Sequence, residues 1–166
     1  GAQKPLSIIG FDPLHLEHHM RRFAVLGNPI EHSKSPEIHR AFAESCRHEI
    51  DYQKVLVEAG DFDRVVTEFF ASGGIGLNVT APFKGEAFAL AEVHTEDAVD
   101  AKAVNTLWRD DEGRVCGHTT DGSGLALDLE VNLGWRLAGA NILFLGAGGA
   151  MRSILGPLCD RAPASI

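Results

Sequence analysis

Two hydrophobic periods alternate along the chain. RRFAVLG (21–27) is a short apolar run stopped by glycine, the pattern of a buried strand. The polar loop NPIEHSKSP (28–36) follows, and Ser35 suits a helix N-cap with Pro36 at the first helical position. Ile38, Ala41, Phe42 and Ser45 or Cys46 then return at helical spacing. IDYQKVLVE (50–58) alternates like a strand. DFDRVVTEFFAS (61–72) restores the helical period until Gly73-Gly74 ends it. IGLNVT (75–80) predicts a third strand, and Pro82 is expected to open a helix running to about Ala91. TEDAVDAK (95–102) predicts a short helix. AVNTLWR (103–109) and VCGHTTD (115–121) flank DDEG, a hairpin signal. GSGLALDLEVNLG (122–134) is amphipathic and ends on Gly134. NILFLG (141–146) predicts a strongly apolar strand, and the glycines after it turn into another helix.

Strands alternating with helices favour parallel pairing, so the predicted class is α/β with a mostly parallel sheet. The first 19 residues have no clear period. They are expected to be a tag or disordered arm ahead of a native start at Met20, and His18-His19 is not read as a metal site.

Composition narrows the partners. The formal net charge is -8, which disfavours nucleic acid or an acidic membrane as the main partner. No apolar run approaches the roughly 20 residues needed to cross a bilayer. Three scattered cysteines, Cys46, Cys116 and Cys159, form no C-x-x-C pair and fit a reduced, cytoplasmic setting. The expected partner is a small molecule, with assembly left open between monomer and homodimer.

Two stretches carry candidate chemistry. In Gly146-Ala147-Gly148-Gly149-Ala150, an apolar run meets a helix start. Gly146 permits a tight turn, Gly148 lets backbone approach a pyrophosphate, and the helix N-terminus offers free N–H groups. This G-x-G-G-A spacing is a near variant of the dinucleotide fingerprint. The residue that would select NAD or NADP is expected ~20 residues further on, past Ile166. The second stretch, NVTAPFKGEA (78–87), gathers Asn78, Thr80 and Lys84 about a helix mouth. It reads either as helix punctuation or as a polar pocket at a strand end with a lysine aimed into it.

GNPIEHSKSP, NVTAPFK, AVNTL, TDGSG and GAGGAMR occur in the order and spacing of shikimate dehydrogenase, which the chain resembles from about Arg22 onward. The resemblance implies reversible NADP-dependent reduction of 3-dehydroshikimate to shikimate. It also implies a three-layer α/β/α substrate-binding domain (20–121), a linking helix (122–134) and the beginning of a Rossmann-type NADP-binding domain (135–166). Ser33 and Ser35 look like the pair that binds the substrate carboxylate. Asn78, Thr80 and Asn105 look like further substrate contacts. Lys84 and Asp121 look like the catalytic pair that handles the carbonyl oxygen's proton. The cofactor would lie against Gly146, Ala147, Gly148, Gly149 and Ala150.

Each of these residues also has a plainer use. Ser35 would cap a helix, Lys84 would be a solvated helix lysine, and Asp121 would cap the helix starting at Gly122. Many family members read N-T-D-G where this chain has Thr119-Thr120-Asp121-Gly122, so Thr119 loses an amide's paired donor and acceptor. His118, His32 and His39 are read as structural or solvated. The family also places a substrate-contacting glutamine in a late helix that these residues do not include, so the 166-residue chain alone is expected to show little activity. Two alternatives stand beside the shikimate enzyme. One is a broader quinate/shikimate dehydrogenase, and the other is a non-catalytic ligand-binding fragment.

Overall fold

The computed structural model describes residues 20–146 and 149–166. The expected arm at 1–19, and the Ala147 and Gly148 of the glycine turn, lie outside the described residues. The chain divides into two compact units between Phe83 and Lys84.

The first unit holds strand β1 (Arg21–Gly27), helix α1 (Ser35–Ser45), β2 (Ile50–Leu56), α2 (Phe62–Ala71) and β3 (Gly76–Val79). β1 lies between β2 and β3 and pairs parallel with both. Its register sets Phe23 opposite Tyr52 and Val25 opposite Asn78, so these four positions share one face of the sheet. Val25, Ile30 and Tyr52 form a buried cluster there, backed by Phe23 and Ile50. α2 buries Phe62, Val65, Val66, Phe69 and Phe70, the stripe its period predicts.

α1 forms where expected, with a different face inward. Pro36 and Ala43 are buried, while Ile38 and Phe42 are exposed. Two polar contacts accompany that rotation: His39 stacks on Tyr52 at 4.4 Å, and Arg40 donates to the Tyr52 carbonyl at 3.2 Å. Helix periodicity reports a stripe but cannot weigh such contacts against it.

The helix expected to open at Pro82 starts two residues later. Residues 81–83 form a turn closed by Phe83 N–H donating to Thr80 O at 3.0 Å. That turn seats the buried Phe83 ring against Phe62, with centroids 5.4 Å apart.

The second unit begins with α3 (Lys84–Leu90), β4 (Val93–His94), α4 (Glu96–Ala101), β5 (Thr106–Arg109) and β6 (Val115–His118). β5 and β6 make the expected antiparallel hairpin. Its turn is closed by Asp110, whose carboxylate accepts from the Glu112 and Arg114 amides at 3.0 and 2.9 Å. The Arg114 guanidinium on the same carboxylate holds its proton affinity below the usual carboxylate range. β4 pairs parallel with the other edge of β6. Thr95 caps α4, accepting from the Ala98 amide.

The expected 122–134 helix is α5 (Asp121–Leu127) followed by one π-helical turn (Asp128–Asn132). Together with α6 (Gly149–Cys159) it belongs to the second unit, where Ala126, Leu137 and Leu158 form a buried cluster. α5 and α6 touch closely at Gly122: a Cβ there would stand 2.2 Å from Ser153 O.

The strand expected at 141–146 is not formed. One parallel bridge joins Asn141 to Ser165, and Leu143 and Leu145 are 82% and 94% exposed. An apolar run becomes a strand only where a neighbour completes its ladder. Here Ser165 offers a single bridging position. The class remains α/β, with parallel pairing in the first unit and mixed pairing in the second.

Candidate active site

In the first unit the loop after β1 leads Ser33 and Ser35 to the mouth of α1. The loop starts close: a Cβ on Gly27 would meet Thr80 Cγ2 at 2.5 Å and Ile30 Cδ1 at 2.9 Å, so any larger residue at this strand end would have to displace those two side chains. Ser33 N–H donates to Ile30 O at 3.1 Å, closing the turn. Ser33 Oγ then sits 3.2 Å from Ser35 Oγ and accepts from the Ser35 amide at 3.3 Å. Ser35 is therefore the first helical residue rather than the cap: Lys34 holds the cap position without a side-chain bond. The displaced cap leaves both hydroxyls half-buried at a helix N-terminus, a place that favours an anion.

β3 delivers Asn78 and leads to Thr80. Asn78 Oδ1 accepts a 2.6 Å hydrogen bond from the Tyr52 phenol. Thr80 anchors its own backbone to Leu26 O at 2.9 Å and is half-buried. Sequence reasoning missed Tyr52. The available signal was a polar-tipped aromatic at an inward position of an alternating strand.

The second unit assembles a tight polar group. Lys84 Nζ donates to Asp121 Oδ2 at 2.6 Å. The other carboxylate oxygen, Oδ1, accepts from Asn105 Nδ2 at 2.9 Å. Asn105 also donates to Thr120 Oγ1 at 2.9 Å, while its Oδ1 accepts from the Thr120 amide and the Thr106 hydroxyl. Backbone holds both ends, through Val104 N–H to Lys84 O and Asn105 N–H to His118 O. Side-chain exposures of 30% for Lys84 and 27% for Asp121 leave the pair reachable from solvent while its geometry is fixed by protein.

Asp121 is not the N-cap. Thr120 occupies that position, α5 starts at Asp121, and the carboxylate faces Lys84 and Asn105 instead. A carboxylate that already has two strong donors gains little from a helix mouth. Of the residues singled out in the sequence, Lys84 and Asn105 thus both bond Asp121, one to each carboxylate oxygen. An ammonium held by a carboxylate can deliver a proton to a carbonyl oxygen and take it back.

His118 Nδ1 lies 2.8 Å from Thr95 Oγ1, the α4 cap. His39 stacks on Tyr52, with Nδ1 at 2.9 Å from Ser35 O. Thr119, the residue that departs from the N-T-D-G pattern, is buried, and its Oγ1 has no hydrogen-bond partner among the described residues.

At the glycine turn, Gly146 has φ +118°, a conformation that side chains strain to adopt. α6 starts at Gly149, followed by an exposed Ala150. A positive-φ glycine running into a helix N-terminus fits a pyrophosphate, and to that extent the residues fit a dinucleotide. All three cysteines are free, and burial pushes the Cys116 thiol up. Among the described residues no His, Cys, Asp and Glu cluster is placed to hold a metal, and no helix is long and apolar enough to cross a membrane.

Comparison with known proteins supplies the context. The family model described as the shikimate dehydrogenase substrate binding domain matches residues 25–107. The NADP+-dependent shikimate dehydrogenase of Chromobacterium violaceum is 51% identical over 146 residues, covering 87% of this chain and 53% of its own length. Among solved structures, an enzyme called Ael1 from Pseudomonas putida is 43% identical with a TM-score of 0.82, over 86% of this chain and 52% of its own. Shikimate 5-dehydrogenase from Thermus thermophilus, solved with NADP(H) and shikimate, is 34% identical with a TM-score of 0.80, over 88% of this chain and 54% of its own. The chain spans about half the length of the curated relatives it matches.

Proposed function

The chain belongs to the shikimate dehydrogenase substrate-binding domain family, and from that premise we propose that the full-length protein interconverts 3-dehydroshikimate and shikimate with NADP. The observation that carries this reading is the Lys84–Asp121–Asn105 group, linked at 2.6 and 2.9 Å. Gly146, Ala147, Gly148, Gly149 and Ala150 would hold the NADP cofactor, which would supply a hydride to the ketone carbon or accept one from the alcohol carbon. The Lys84 ammonium donates the proton that the developing alkoxide needs, and in the oxidative direction the amine takes it back. Asp121 orients that ammonium and keeps the opposite charge beside it. Asn105 holds Asp121 from the other side and offers an amide to a substrate hydroxyl. Ser33 and Ser35 donate to the carboxylate, which their helix N-terminus also favours. Asn78 and Thr80 complete the hydroxyl and carboxylate contacts. We place the domain boundary and the linking helix as the resemblance implies, at 20–121 and 122–134, and the protein in the cytoplasm.

The test is a steady-state assay of the full-length gene product with shikimate and quinate, each with NADP+ and NAD+. Shikimate with NADP+ is expected to dominate kcat/KM. Comparable quinate turnover would replace this reading with the broader dehydrogenase. No turnover of either acid would leave a ligand-binding protein.

A further inference from the structure

We propose that Tyr52 is a positioning residue: its buried phenol holds the Asn78 amide by a hydrogen bond across β1, and so sets the amide that the substrate meets. This rests on the functional reading above and deepens it. Tyr52 is 2% exposed and packs with Val25 and Ile30. β1 separates its strand from that of Asn78, yet the phenol reaches across to Asn78 Oδ1 at 2.6 Å. Two separate strands, β2 and β3, are tied together across β1 in this way.

Packing alone does not require the hydroxyl. Phenylalanine would fill the same volume and stack equally on His39, whose ring lies 4.4 Å away at 19°. A buried phenol without partners would cost free energy, so its hydrogen bond to Asn78 is what this hydroxyl adds. Burial also pushes its ionisation up, so it remains a donor at neutral pH.

The experiment is Tyr52→Phe in the full-length protein. The expected result is a shikimate KM raised about tenfold, the size of losing a buried partner, with kcat and the NADP+ KM unchanged. A merely structural tyrosine would lower Tm and leave the shikimate KM alone, and that result overturns the proposal. Asn78→Ala provides a second measurement that leaves Tyr52 intact, and its shikimate KM is expected to rise at least as far. An unchanged KM there would sink the proposal even if the Phe variant did not fold. In the Tyr52→Phe, Asn78→Ala double variant the two effects are expected to be non-additive, because the phenol acts through Asn78, and additive losses would likewise overturn it. A wild-type protein inert towards shikimate would instead remove the functional reading itself, which separates the two failures.

Discussion

Gly122→Ala sets the packing of the second unit directly against the position of its reactive pair. A Cβ at this site would stand 2.2 Å from Ser153 O, 2.7 Å from Pro157 Cγ and 3.0 Å from Ile154 Cα. The carbonyl and the Cα are main chain and cannot swing aside as a side chain can. Ordinary contact begins at 3.4 Å, so α5 and α6 must part by roughly 1 Å to admit the methyl group. Overpacking of this kind costs about 1–3 kcal/mol, which for a chain of this length lowers Tm by about 2–12 °C. The displacement also reaches the chemistry, since Asp121 begins the same helix and its carboxylate lies 2.6 Å from Lys84 Nζ. Misplacing a catalytic group by about 1 Å can cost about 100-fold in rate. Gly124→Ala is the internal control. It lies on the same helix, a Cβ there meets nothing within 4 Å, and alanine gains about 0.5–1 kcal/mol in a helix interior. Thermal melts by circular dichroism and kcat for shikimate oxidation read both effects in the full-length protein. If Gly122→Ala melts and turns over like the wild type, or Gly124→Ala is equally damaging, the close α5–α6 contact is wrong.

Lys84→Ala should lower kcat by about 100- to 10,000-fold with a modest change in KM, because the proton transfer matters in the transition state. Ser33→Ala should chiefly raise KM, and the opposite split between these two variants would mean their roles are exchanged. Thr119→Val should raise Tm, since removing an unpaired buried hydroxyl relieves about 1 kcal/mol; a lower Tm would reveal a partner for that oxygen. Tyr52 is the only tyrosine of this chain, so its tyrosinate absorbance titrates one group. Burial raises its folded value above the usual one, so its contribution to stability is complete below about pH 10 and is lost as pH climbs from there. A folded phenol ionising with free tyrosine would contradict this.

Local pattern carried most of the architecture. β1, β2, α2 and the DDEG hairpin each announce themselves within a few residues, because alternation, helical period and turn chemistry are local properties. β4 does not: Val93–His94 is a two-residue strand that exists only because β6 has a second edge to fill. NILFLG errs in the other direction, since its apolar run is strand-like but its ladder is one bridge to Ser165. The π-helical turn after α5 has no signal in its sequence, which reads as ordinary helix through Asn132. A strand is a property of a pair, and a single segment reports only its willingness.

The site divides along the same physical line. Lys84, Asn105 and Asp121 sit far apart in sequence, and only motif order suggested that they act together. The structure makes them one hydrogen-bonded group, and in doing so takes Asp121 away from the capping role its local sequence supports. Ser35 loses its cap for a related reason, because the turn closed on Ile30 places Ser33 where its oxygen accepts from the Ser35 amide. In both places a side chain that local rules would spend on its own helix is spent on a partner elsewhere. A polar residue suited to a cap but withheld from it leaves its oxygen for another partner. Here Asp121 already holds an ammonium, and Ser35 a second hydroxyl. Such withheld caps can be sought in other sequences of this class before any ligand is known, by asking which helix starts have two candidates and can use only one.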